Sequence, residues 1–316
     1  MGWDAVLMDH RSSQVDRAEW RCALSPVPGD RGSREQYVRK ARAFLEAFER
    51  LPQSRAFPLE DVPPVGFDRV VVGSDEVWNL RHPWYGGREL FYGRGLDRPI
   101  SYAASFGNQD ADGGLPDHYA QWLRGFSSIA VRDQNSRRIV TQMLEEEPEI
   151  VLDPCLQFGS VMPLGESQIE QPYAAVYGHS FPRWFGQLFR DWARERGLTL
   201  VSIGYRNEWA DRQWIEAGPL DYPSFIAGAA AVATNFFHGC VFSLLTERPF
   251  ICAPSDYRNN KVRDLLNLLR APERLLAPDQ QPNLDRLLSL PAGAQTYDEI
   301  ARLRRVSTEY LDHAIG

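Results

Sequence analysis

Several stretches of this sequence place a polar or titratable side chain beside glycine, directly after an apolar run. The fullest is Ala231-Val-Ala-Thr-Asn-Phe-Phe-His-Gly-Cys-Val-Phe-Ser-Leu-Leu245. Ala229 to Thr234 reads as a buried strand, the run breaks at Asn235, and Cys240 to Leu245 reads as the first turns of an apolar helix. A helix starting just after Gly239 turns free N–H groups and a partial positive charge toward the strand end, which makes an anion site. His238 stands at its lip, a group that moves a proton near neutral pH. Asn235 and Phe237 complete the turn. A lone histidine in an apolar segment reads equally well as a satisfied core residue, and Gly239 as a device for close strand–helix packing. The strand-end position keeps the catalytic reading level with that one.

The same pattern recurs. Gly73-Ser-Asp-Glu-Val-Trp-Asn79 follows the apolar run Arg69–Val72. Ser74, Asp75 and Asn79 can hydrogen-bond a polar ligand there, or Ser74 or Asp75 simply caps a helix. Ser105-Phe106-Gly107 closes the run that begins at Pro99. Arg132-Asp133 closes Ser128–Val131; Asp133 is expected to cap the next helix. Arg132 is either a fork for a bound anion or the partner of a nearby carboxylate such as Asp153. Arg258 and Lys261 open a later helix and are either phosphate ligands or an ordinary solvated helix start.

The elements that hold these turns alternate. Strands are expected at Ala5–Met8, Arg69–Val72, Pro99–Ser105, Ser128–Val131 and Glu149–Leu152. Helices are expected from Ser33 through Phe48, at Leu115–Leu123, and from Asp133 to about Glu146. The stretch from Asp9 to Gly32 reads as a polar loop, and Pro52 to Pro64 as another. After a lapse in periodicity from Cys155 to Gln171, a second series begins. Its strands are Tyr173–Tyr177, Leu198–Ile203, Ala229–Thr234 and Phe250–Ala253. Its helices are centred on Trp184–Trp192 and Tyr222–Gly228, followed by the apolar helix from Cys240 and another from Arg258 to Leu269. A last amphipathic helix runs from Tyr297 to His313. Strands alternating with helices imply parallel sheets and right-handed crossovers. The expected fold class is α/β, with an N-terminal domain at 1–160 and a C-terminal domain at 161–316, and the last helix able to pack back on the first domain.

Composition narrows the function. The chain has 316 residues, 43% hydrophobic and 12% aromatic, enough for two packed cores. Its net charge is −7, and no basic run interleaves with aromatics, so nucleic acid is not an expected partner. No apolar run approaches the length of a membrane span. Cys22, Cys155, Cys240 and Cys252 are too scattered for a metal cluster or disulfide framework, and they read as reduced thiols of a cytoplasmic protein. No metal-binding motif is present and no metal is expected. The nine tryptophans and the aromatic loop from Trp84 to Tyr92 suit carbohydrate stacking or an interface as well as core packing.

Taken together, Phe67-Asp-Arg-Val-Val-Val-Gly-Ser-Asp-Glu-Val-Trp-Asn79, Ile100-Ser-Tyr-Ala-Ala-Ser-Phe-Gly107, Ala130-Val-Arg-Asp133, Val151-Leu-Asp-Pro154 and Thr234-Asn-Phe-Phe-His-Gly239 resemble the polysaccharide pyruvyl transferase family, in order and approximate spacing. The resemblance implies two Rossmann-like domains facing a cleft, as in GT-B glycosyltransferases. It implies transfer of the pyruvyl group of phosphoenolpyruvate to a sugar hydroxyl pair, forming a ketal. Phosphoenolpyruvate is then a co-substrate, and no cofactor is expected. The implied partner is a carbohydrate acceptor, and peripheral association with a lipid-linked acceptor is open. By resemblance, His238 is the catalytic histidine and Arg132 a donor ligand. Gly73, Ser74, Asp75, Asn79, Ser105, Phe106, Gly107, Asn235, Phe237, Gly239, Arg258 and Lys261 are expected to line the substrates. Members of the family usually carry a strand, an Asn/Gly turn and a helix before the strand that resembles Asp4–Asp9, so the N-terminal domain is expected to lack its first strand. Two other readings keep part of this picture: a nucleotide-sugar-dependent glycosyltransferase of GT-B type, and a non-catalytic paralogue that binds carbohydrate or a partner.

Overall fold

The computed structural model describes residues 4–24, 30, 32–58, 66–83, 86–109, 111, 115–162, 164–165, 169–255, 259–279 and 282–316. The chain is mixed α/β with parallel sheets. It divides into two compact units. The first comprises Met1–Glu19, Glu49–Gln157 and Ile300–Gly316; the second comprises Trp20–Phe48 and Phe158–Glu299.

In the first unit the strands are short. β1 (His10–Arg11) pairs in parallel with β2 (Phe57–Pro58), β3 (Val71–Val72) with β4 (Ile100–Ser101), and β5 (Ala130–Val131) with β6 (Glu149–Ile150). Single bridges, Ile100 to Ser128 and Ala104 to Val131, join β4 to β5. The strand expected at Ala5–Met8 is reduced to a bridge between Leu7 and Gln53. Val6 and Leu7 lie at the surface, so no buried face extends the pairing. The expected loop after Asp9 instead holds α1 (Ser13–Leu24). Val15 N–H donates to Ser12 Oγ and Asp16 N–H to Ser12 O, which starts the helix. Among its residues Val15 is the buried one, so almost no apolar periodicity announces it.

α3 (Asp117–Leu123) and α4 (Gln134–Leu144) flank these strands, and α5 (Pro154–Gln157) follows β6. The core is aromatic. Trp78 is fully buried, with Phe106 at 5.3 Å and Phe126 at 5.9 Å between ring centroids. Its Nε1–H donates to Phe91 O at 2.7 Å, and Tyr92 Oη–H donates to Trp78 O. Burying a side chain of that size contributes about 4–6 kcal/mol. Residues 300–316 complete this unit: Leu152 N–H donates to Ser307 Oγ at 2.9 Å, and Tyr310 Oη–H to Ser101 O at 2.7 Å. They form the later part of α11 (Ala294–Ile315).

The second unit is built on one five-stranded parallel sheet of β7 (Tyr173–Tyr177), β8 (Thr199–Ile203), β9 (Arg212–Trp214), β10 (Val232–Thr234) and β11 (Phe250–Cys252). The strand order is β11-β10-β7-β8-β9, so the direction of winding reverses between β7 and β10. Every residue of β7 and of β10 is buried, as strands covered on both faces require. α6 (Arg183–Glu195) puts Phe185, Phe189, Trp192 and Ala193 against Ala174, Val176, Leu200, Ala231, Ala233 and Ile251. α7 (Tyr222–Gly228) leads into β10, and α8 (Phe237–Leu245) leads from β10 to β11. α9 (Asn259–Leu268) and α10 (Leu284–Ser289) follow. β9 and α10 carry too little apolar pattern to read from sequence.

α2 (Arg34–Glu49), nearly all of it in this unit, buries Tyr37, Lys40 and Ala41. Phe44, Leu45 and Phe48, which share its apolar spacing, are exposed. The buried lysine takes a place that the spacing assigns to an apolar side chain. Among the described residues no helix is long and apolar enough to cross a membrane.

Candidate active-site residues in the two units

In the first unit the glycine turn after β3 lies against the turn after β4. Gly73 has φ 133° and stands so close to Tyr102 O that a Cβ would collide with it. This delivers Ser74 and Asp75 to a partly exposed position, while Glu76 and Asn79 turn inward. Asn79 Nδ2–H donates to Glu76 Oε2 at 2.7 Å, and Asn79 Oδ1 accepts Arg81 N–H at 3.0 Å. Asn79 is therefore a turn-building residue.

Ser105, Phe106 and Gly107 are buried. Ser105 Oγ–H donates to Asp133 Oδ2 at 2.6 Å and accepts Gly107 N–H at 2.9 Å. Phe106 N–H donates to Ser136 Oγ at 2.9 Å. Asp133 Oδ1 accepts Ser136 N–H at 2.7 Å, the N-cap expected from sequence. One carboxylate thus ties the β4 turn to the start of α4.

Arg132 is 3% exposed and engaged by two carboxylates. Its Nη1–H donates to Asp153 Oδ2 and its Nη2–H to Asp75 Oδ1, each at 2.9 Å. The two partners differ: the Asp153 side chain is 2% exposed and that of Asp75 is 50% exposed. Burial opposes the guanidinium charge, but Asp75 and Asp153 outweigh it and hold the group more firmly protonated than usual. The carboxylate pairing considered from sequence is the arrangement present, with Asp75 added to it. Burial, with Asp153 beside it, pushes the Cys155 thiol up to about 12, so it is no nucleophile near neutral pH.

In the second unit α8 begins three residues earlier than the sequence suggested. Phe236 is its N-cap residue, so Phe237, His238 and Gly239 form its first turn rather than a separate loop. Thr234 does the local work: its Oγ–H donates to Tyr177 O at 2.7 Å, and the same oxygen accepts Phe236 N–H at 3.0 Å. Gly239 packs on Thr234 so closely that a Cβ would overlap its hydroxyl. The packing role considered for Gly239 is therefore met. Phe237 is buried. His238 is partly exposed, with its ring 5.3 Å from Phe237 and 6.0 Å from Phe242. Asn235 is buried, and its Nδ2–H donates to His179 O at 2.7 Å, joining the ends of β7 and β10 where the sheet reverses. Lys261 is partly exposed on α9, and Arg258 lies outside the described residues.

Three side chains near this edge were not singled out from sequence: His179, Tyr205 and Lys40. Lys40 is 8% exposed; its Nζ donates to Gly204 O at 2.7 Å and lies 3.6 Å over the Tyr205 ring. Desolvation lowers its pKa to about 7. The nearby Tyr37 Oη accepts Arg206 N–H at 3.1 Å. A lysine in an amphipathic helix gives no sequence signal of burial, and a histidine two residues past a strand is recognisable only once strand order is known.

The search of curated proteins gives no match. Among solved structures, the chain is similar to an O-GlcNAc transferase variant of Thermobaculum terrenum, at 13% identity and a TM-score of 0.34. That alignment covers 73% of this chain and 47% of the transferase, so the chain spans about half of that protein's length. It is also similar to an NAD-binding D-isomer specific 2-hydroxyacid dehydrogenase from Polaromonas, at 14% identity and a TM-score of 0.20, covering 70% of this chain and 85% of the other. A family model described as polysaccharide pyruvyl transferase matches residues 4–257, which include the turns at Gly73, Ser105, Arg132 and His238. With most of its length matched in this way, the chain belongs to the polysaccharide pyruvyl transferase family.

Proposed function

We propose that the protein transfers the pyruvyl group of phosphoenolpyruvate to two hydroxyls of a carbohydrate, forming a cyclic ketal and releasing phosphate. The observation that carries this reading is the family match over residues 4–257 together with a partly exposed histidine in the first turn of a helix at the carboxyl end of a parallel strand. The strand reversal between β7 and β10 supports a Rossmann-like reading of the second unit. By that reading two Rossmann-like domains carry the activity.

The chemistry balances without an outside oxidant. A proton adds to the methylene carbon of the enol phosphate, one sugar hydroxyl attacks C2, and the second displaces phosphate. His238 accepts the proton of the attacking hydroxyl or returns one to the leaving phosphate. The positive end of the α8 dipole favours the donor anion. Arg132 contributes through exchange: the donor displaces the half-exposed Asp75 from Nη2, while the buried Asp153 keeps Nη1 in place and the guanidinium charged.

The test is phosphate release from phosphoenolpyruvate in the presence of a panel of sugars. Replacing His238 with Ala should lower turnover at least about a hundredfold while the far-ultraviolet circular dichroism spectrum is unchanged. An unchanged rate in that variant removes His238 from the mechanism. Binding of UDP or GDP without binding of phosphoenolpyruvate, read by calorimetry, overturns the choice of donor.

A further inference from the structure

The carboxyl edge of the five-stranded sheet carries a second group of side chains that the proton-transfer reading does not use. His179 follows β7, Tyr205 follows β8 and Phe236 follows β10. Their ring centroids form a nearly equilateral triangle: 5.1 Å from His179 to Tyr205, 5.4 Å from His179 to Phe236 and 5.0 Å from Tyr205 to Phe236. All three are partly exposed. They surround the point where the winding of the sheet reverses, which is where open α/β sheets bind their ligands.

The triangle is braced from behind. Tyr177 meets Phe236 edge-on at 5.2 Å. Lys40 Nζ sits over one face of Tyr205 and is itself tied to Gly204 O. Asn235 Nδ2–H holds the carbonyl of His179, fixing the backbone of that residue next to Phe236. Rings fixed in this way lose little further freedom when a ligand arrives.

The angles between the rings select the ligand. His179 and Tyr205 are inclined at 49°, His179 and Phe236 at 83°, and Tyr205 and Phe236 at 87°. A flat base is best held in a parallel slot, which this is not. A puckered pyranose presents C–H bonds in several directions and hydroxyls around its rim. It suits the partly exposed outer face of three steeply inclined rings in mutual contact, beside the His179 imidazole and the Tyr205 hydroxyl.

We propose that His179, Tyr205 and Phe236 form the subsite that receives a pyranose ring of the carbohydrate acceptor, an inference that rests on the pyruvyl-transfer reading above. Phe236 is the N-cap residue of α8 and stands two residues before His238, so a sugar seated there brings its hydroxyls to the start of the same helix.

The experiment has two arms. The first measures binding of methyl glucopyranoside, galactopyranoside and mannopyranoside by saturation-transfer NMR and calorimetry, with no donor present. The second measures KM for the acceptor and for phosphoenolpyruvate in the phosphate-release assay. Tyr205→Leu and Phe236→Leu should each weaken pyranoside binding about tenfold and raise the acceptor KM to match. The KM for phosphoenolpyruvate should stay within about twofold. Tyr205→Phe keeps the ring and should bind as the parent does, which separates loss of the platform from loss of the fold. Melting temperatures of all three variants complete that control. Failure of the parent to bind any of the three pyranosides overturns the proposal, as does equal binding by Tyr205→Leu. Tyr205-dependent binding of uridine or guanosine in place of the pyranosides also overturns it. Tyr205-dependent pyranoside binding without turnover of phosphoenolpyruvate supports the subsite and removes the reaction reading alone. Turnover with an unchanged acceptor KM in both leucine variants does the reverse.

Discussion

Replacing Lys40 with Met should flatten the pH dependence of stability. Lys40 is buried on α2, and desolvation brings its pKa from an ordinary 10.5 to about 7. The folded chain therefore releases this proton near pH 7, well before the unfolded chain does. Between those two values the unfolded state holds more protons, so stability must rise with pH. The stability is fully present above the unfolded pKa and is lost as pH falls toward 7, below which both states are charged. From pH 7 to pH 9 the single proton accounts for about 2 kcal/mol. The neighbouring phenols do not blur the window, since burial pushes Tyr37 to about 12 and Tyr222 well above its usual range. Methionine keeps the stem and removes the titrating group. It also leaves Gly204 O without its donor, at about 1–3 kcal/mol, but that cost is independent of pH. Urea unfolding of parent and variant at pH 6, 7, 8 and 9 separates the offset from the slope. The parent should gain about 2 kcal/mol on the variant between pH 7 and 9. Curves that run parallel would refute the reasoning, because they would mean that Lys40 binds its proton alike in both states.

The two partners of Arg132 should respond very differently to removal of their charge. Asp153→Asn leaves a buried guanidinium short of its buried counter-charge and should cost about 3–5 kcal/mol in urea unfolding, whereas Asp75→Asn, at a half-exposed pair, should cost about 1 kcal/mol or less. Gly239→Ala forces a methyl group onto the Thr234 hydroxyl and should destabilise by about 1–3 kcal/mol; the same change should cost less in a chain that already carries Thr234→Ala, which lacks that hydroxyl, in the same measurement. Iodoacetamide at pH 7.5, followed by peptide mass spectrometry, should label the exposed Cys22 first. Cys155, held protonated, and the buried Cys240 and Cys252 should react only on unfolding.

Much of the second unit was legible because its strands are continuous apolar runs broken by turn residues. Tyr173–Tyr177 and Tyr222–Gly228 stand where the sequence placed them. The Asp133 cap was equally plain, since an acidic residue between an apolar run and a helical pattern has one obvious use. What failed to show were elements whose stability is borrowed. α1 buries Val15 and little else, β9 has no fully buried residue, and residues 5–8 pair through one bridge. At the site, glycine and polar residues marked where each turn falls but not which way each side chain points. Asn79 turned inward to Glu76, and Arg132 acquired a second carboxylate in Asp75. The start of α8 was misplaced for a related reason: no side chain caps it, Thr234 Oγ holds only the turn before it by accepting Phe236 N–H, and the aromatic pair at the boundary obscures it.

The packing of residues 300–316 in the first unit has a consequence for how the protein is made. Leu152 N–H is satisfied by Ser307, Ser101 O by Tyr310 and Leu156 O by Arg304. During synthesis the strands of this unit leave the ribosome first, yet those partners follow only after the whole of 158–299 has been translated. The usual order in which an N-terminal domain folds before its successor is therefore closed to this chain. Its early strands must wait with open backbone groups while the five-stranded sheet assembles, a period in which a holdase chaperone would find its substrate. A fragment ending at Gln157 would hold that unfinished state permanently, so the two halves of this sequence cannot be exchanged among relatives as if they were separate modules.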